Sequence, residues 1–86
     1  MQAWPNPFKP HPDADKTLKF SCLPQAAFVS IYTLSGEWVA KVEELGGLAS
    51  WNGKNHNGFQ VSFGIYYYVI QQGGQVLKVG KLLVVP

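Results

Sequence analysis

A chain of 86 residues has room for one small domain built around a single core. Apolar side chains make up 47% of it, aromatic ones 14% and charged ones 14%, the last well below the roughly 25% of an average soluble domain. The formal charge of +2 is carried by lysines without a single arginine, which removes the planar fork that grips phosphate and guanine and argues against nucleic acid as a partner.

Residues 1–16 contain Pro5, Pro7, Pro10 and Pro12. Each proline removes a backbone donor and biases its predecessor toward extended conformations. This segment reads as a lead-in linker, with Phe8 tucked against the edge of a domain that occupies 17–86. No charged-then-apolar signal segment is visible, and no apolar run approaches the roughly 18 residues that span a bilayer, so membrane insertion is not expected. The signal of an exported parent would lie upstream.

Polar and apolar residues alternate over 17–23, which predicts a half-buried strand closed by Pro24. Leu18, Phe20 and Cys22 fall on one face of it, so Cys22, the only cysteine, is expected to be a buried, inert thiol. A lone cysteine also excludes an intramolecular disulfide. A second strand over 27–34 sets Val29 and Ile31 against Phe28, Ser30 and Tyr32. Ser35 and Gly36 mark a turn into a third strand over 37–42, which should pair with the second as a hairpin. Residues 43–47 form a loop with adjacent glycines, and 48–51 a short fourth strand.

Two Asn-Gly pairs follow Trp51, at Asn52-Gly53 and Asn57-Gly58, and signal a sharp reversal. Residues 60–62 read as a brief strand and 65–71 as a strong one, rich in β-branched and aromatic side chains. Gly73 and Gly74 turn the chain into a final strand over 75–85. Its last four residues, Leu82, Leu83, Val84 and Val85, suit a strand buried on both faces or one that ends inside a sandwich. Six or seven short strands, with turns about every 8–12 residues and no helical periodicity, predict an all-β antiparallel sandwich, with a small barrel as the competitor.

Chemistry-bearing residues are sparse. His56 lies in the glycine-rich loop and His11 in the lead-in, neither beside carboxylates at ligand spacing. Asp13 and Asp15 alternate as in a calcium loop but lack its glycine and distal glutamate. Glu43 and Glu44 read as solvated. Ser21, Ser30, Ser35, Ser50 and Ser62 sit in no strand-to-helix elbow, and the paired glycines precede no helix that would offer donors to an anion. Neither catalysis nor a metal or cofactor is expected. Trp51 reads as a core residue, alternation sets Tyr67 opposite Tyr66 and Tyr68, and Trp38 is the best candidate for a solvent-facing ring that could contact a glycan.

Taken together, Asn6-Pro7-Phe8, Leu18-Lys19-Phe20-Ser21 with Leu23-Pro24, Val29-Ser30-Ile31-Tyr32, Gly36 with Val39, Trp51-Asn52-Gly53-Lys54, Asn57-Gly58, Gly64-Ile65-Tyr66-Tyr67-Tyr68 and Lys81 resemble the FlgD-type immunoglobulin-like domain. That family includes the C-terminal sorting domains of the bacterial type IX secretion system, and the resemblance covers about residues 5–85. It implies a small antiparallel immunoglobulin-like sandwich in a secreted or cell-surface protein. Such a module has no catalysis of its own and serves in sorting, anchoring or as a spacer. It further implies a protein partner, the export machinery or the parent's other domains, that reads the final strand through Gly80, Lys81, Leu82 and Val84. The structural motif comprises Trp51, Asn52, Gly53, Asn57, Gly58, Gly64, Tyr66 and Tyr68. Glu37 and Trp38 depart from the family pattern, which usually has basic and polar residues there, and the 43–47 loop is shorter than usual. The alternatives are a carbohydrate-binding accessory module that takes a polysaccharide through exposed aromatics, and a flagellar hook-capping scaffold.

Overall fold

The period-two patterning is realised as seven strands. The computed structural model describes residues 2–4, 6–9 and 17–86, and among them all regular structure is strand. The strands are β1 (Gln2–Trp4), β2 (Leu18–Ser21), β3 (Phe28–Thr33), β4 (Trp38–Glu43), β5 (Ala49–Trp51), β6 (Gly64–Gln72) and β7 (Gln75–Val84). They form two sheets, of order β1-β2-β5 and β4-β3-β6-β7. Every neighbouring pair is antiparallel. The protein is a small immunoglobulin-like β-sandwich.

Its core lies between the sheets and follows the alternation. Leu18 and Phe20 of β2 and Ala49 and Trp51 of β5 face Val29 and Ile31 of β3, Tyr66, Tyr68 and Ile70 of β6, and Leu82 and Val84 of β7. Aromatic rings bridge the layers in tilted or edge geometries that suit their quadrupoles. Phe20 meets Tyr68 at 5.2 Å between centroids, and Trp51 lies 5.9 Å from Phe8 and 6.2 Å from Tyr66. The predicted hairpin joins β3 and β4, with a register shift beside Tyr32. Val39 and Ala40 are consecutive on β4 and both buried; Val39 is the extra residue at the shift, between the partners of Tyr32 and Ile31.

Several elements differ from the sequence reading. Part of the proline-rich lead-in lies within the fold: Gln2–Trp4 pairs with β2, and Phe8 is fully buried. A few proline-free residues are enough to pair along a sheet edge, and one buried phenyl ring is enough to anchor the segment around it. Cys22 is exposed. The strand ends at Ser21, and Cys22 takes a left-handed backbone with φ of 57°, so the alternation that would have buried the thiol stops one residue earlier. Residues 60–62 form no strand; Gln60 makes only an isolated bridge to Lys54. The apolar run at the end of β7 is buried on one face only, because each sheet of a two-layer sandwich turns one face to the core and the other to solvent: Leu82 and Val84 face the core while Leu83 is 38% exposed.

Candidate functional site

The outer edge of β7 is the place where backbone, charge and a segment from the start of the chain converge. Lys81 is exposed and holds its ammonium 5.8 Å from the centroid of Tyr67, its cross-strand neighbour on β6. Burial separates the proposed recognition residues. The side chains of Leu82 and Val84 are 1% exposed and belong to the core. Gly80 lies under the Tyr68 ring. Of these four residues, Lys81 alone offers its side chain to solvent.

Asn6, Pro7 and Phe8 lie along this edge. The Phe8 amide donates to the Leu83 carbonyl at 2.7 Å, and the Val85 amide donates to the Phe8 carbonyl at 2.9 Å, the pattern of a short parallel pairing between Phe8 and Val84. One step earlier the side chain of Asn6 takes over. Its Oδ1 accepts from the Leu83 amide at 3.1 Å, and its Nδ2 donates to the Lys81 carbonyl at 3.2 Å. A side-chain amide carries the same donor and acceptor as a peptide unit, so Asn6 extends the ladder with its side chain. Sequence reasoning placed Phe8 near the domain edge and named Asn6 within the Asn6-Pro7-Phe8 motif, but gave its side chain no role.

The Asn-Gly loop is held by its own side chains. Trp51 Nε1 donates to the Lys54 carbonyl at 2.9 Å, and Asn52 Oδ1 accepts from the Lys54 amide. Asn55 Oδ1 accepts from the amides of Asn57 and Phe59 at 2.9 and 3.0 Å, so an asparagine that the sequence reading did not single out organises the second turn. Gly53 and Gly58 have φ of 81° and 83°, values that a residue with a Cβ avoids. Gly64 opens β6 opposite Val84. The Tyr66 hydroxyl donates to the Ser62 carbonyl at 2.6 Å, and burial pushes its pKa upward.

Trp38 is 48% exposed, as expected, but one face of its indole is occupied. The His56 ring stacks on it at 4.7 Å and 18°, and the His56 amide donates to the Val39 carbonyl at 2.8 Å, which pins the loop to β4. The pair borders an open polar groove lined also by Thr33, Glu37, Asn55 and Gln60.

Glu44 is not merely solvated. Its Oε1 accepts from the Ala26 amide and its Oε2 from the Gly47 amide, each at 2.9 Å. These two bonds, that from Gly47 foremost, hold its carboxyl below its ordinary value of 4.5. The carboxylate therefore ties the β2–β3 connection to the β4–β5 loop. Among the described residues no three His, Cys, Asp or Glu side chains gather into a metal-binding group. Nor is any helix long and apolar enough to cross a membrane. His11, Asp13 and Asp15 lie outside the described residues.

No family model matches the sequence, and no curated protein matches it. Among solved structures the chain is similar to part of PorZ of Porphyromonas gingivalis, described as an essential bacterial surface component of the type IX secretion system. The likeness has a TM-score of 0.78 at 20% sequence identity, and it covers 99% of this chain but 11% of PorZ. It is a likeness of fold.

Proposed function

We propose that the chain is a non-catalytic immunoglobulin-like module of an exported bacterial protein, of the FlgD-type kind, acting in secretion sorting, surface anchoring or as a spacer. The observation that carries this reading is the sandwich itself. Nearly the whole of it matches a piece of a type IX secretion component, and the sequence pattern independently resembles the sorting family. The mechanism is recognition. A preformed sheet presents an edge strand, backbone groups supply affinity, and exposed side chains such as Lys81 supply selectivity. The partner is a protein, and the working location is the cell surface or beyond.

Removing residues 81–86 would be a poor test, since it would take Leu82 and Val84 out of the core. The better experiment fuses a fluorescent reporter ahead of the module in a bacterium with type IX secretion and changes Lys81→Glu together with Leu83→Ser. Both side chains are exposed, so the sheet should persist by circular dichroism while surface delivery falls. Undiminished delivery would overturn the sorting reading.

Carbohydrate binding through Trp38 is the second reading, favoured by one observation: a half-exposed indole at the rim of a polar groove. The stacked His56 leaves it one ring face fewer to offer a sugar.

A further inference from the structure

We propose that the outer edge of β7, from the Lys81 carbonyl to the Val85 amide, is an acceptor site for an extended peptide that carries an asparagine two residues before a phenylalanine. Asn6, Pro7 and Phe8 are its built-in competitor. The proposal rests on β7 being the strand that a partner recognises, and it adds how access to that strand is controlled.

The site is defined by the segment that fills it. Four groups on the β7 edge are engaged: the Lys81 carbonyl, the Leu83 amide and carbonyl, and the Val85 amide. All four are main-chain groups, so the site's polar side is independent of the side chains of β7. A partner strand added here finds the donors and acceptors that any sheet edge offers. Selectivity comes from two positions. The first must supply both a donor and an acceptor from a short side chain, which asparagine does and aspartate or leucine does not. The second must fill the cavity that holds Phe8, fully buried with its ring 5.9 Å from Trp51. Between them the backbone amide is not used, and proline stands there.

The same bonds close the site. While Asn6 and Phe8 are seated, a partner cannot pair with the 81–85 edge, and the apolar side chains that β7 still shows include Val76 and Val79, 50% and 59% exposed. Recognition by strand addition at 81–85 therefore requires release of the segment. The apparent affinity of a partner falls by the fraction of molecules in which it is released.

The test uses the purified chain and a fluorescein-labelled peptide with the sequence of residues 2–9. Asn6→Ala in the chain removes two side-chain hydrogen bonds of the competitor and leaves Phe8 in place. The peptide should then bind on the order of tenfold more tightly than it binds the unaltered chain. The same peptide with alanine for phenylalanine should not bind. Equal binding of the two peptides, or no gain from Asn6→Ala, would overturn the proposal.

Amide exchange on the unaltered chain guards against a variant that fails to fold. In an edge strand the amides of Leu83 and Val85 point outward and those of Leu82 and Val84 toward β6. The outward pair should exchange faster through local release of the segment. Exchange of all four at one common rate would mean that the segment leaves only on global unfolding, and would sink the idea. Neither measurement involves export, so failure of the reporter experiment and failure of this one are separable.

Discussion

The Tyr68 ring occupies the space that a side chain on Gly80 would need: the two are cross-strand partners on β6 and β7, and a Cβ at Gly80 would collide with the phenol. Phe20 holds that ring from the opposite sheet at 5.2 Å, so it has little room to yield. Gly80→Ala should cost about 1–3 kcal/mol, the range for overpacking a formed core. Gly74→Ala, where a Cβ meets nothing within 4 Å, should change stability far less. Urea midpoints of the two variants check the contrast.

Phe8 tests whether the start of the chain belongs to the fold. Phe8→Ala should lower stability by about 3–5 kcal/mol, as for other buried phenylalanines. That is a large part of the total in a small domain. A detached lead-in would give a change near zero in the same denaturation experiment.

Glu44 makes stability depend on acid. Its folded-state pKa lies below the ordinary 4.5 because the amides of Gly47 and Ala26 favour the carboxylate. A depressed carboxyl contributes stability that is present above the unfolded value and is lost as pH falls through the folded one. Glu44→Gln should therefore lower the urea midpoint at pH 7, and the gap to the unaltered chain should narrow as the pH is taken well below 4.5. A gap that stays constant down to strong acid would show that the charge is irrelevant.

Cys22 should react with a thiol reagent in the native state at the rate of a free thiol, because it is exposed. Labelling that waits for denaturant would restore the buried position that strand alternation predicts.

Affinity electrophoresis through a panel of polysaccharides separates the two functional readings. On the sorting reading the chain should run unretarded on all of them. Retardation that disappears in Trp38→Ala would transfer the function to carbohydrate binding.

Much of the fold was legible because its signals are local. Alternation along β3 and β6 puts Val29 with Ile31 and Tyr66 with Tyr68 on shared faces, and in the structure those are the buried faces. Trp51 followed by Asn-Gly announces a ring closed over by a turn, as its bond to the Lys54 carbonyl shows. The features that escaped depend on partners far away in sequence. Nothing near Asn6 says that its amide will meet Lys81 and Leu83, more than 70 residues on. Leu82 to Val85 reads as uniformly apolar, and only the packing of one sheet on the other reveals that β7 has one wet face. Cys22 was misplaced by a single residue, since a strand's end is set by backbone geometry that composition does not encode. The burial of Leu82 and Val84 was legible from the apolar run, whereas the exposure of Leu83 required the three-dimensional arrangement.

The pairing of Phe8 with Val84 is parallel, while the strands of both sheets run antiparallel to their neighbours. Tension pulling the two ends of the chain apart would slide these segments past each other along their length. The bonds from Phe8 and Asn6 would then share the load in shear instead of parting one by one.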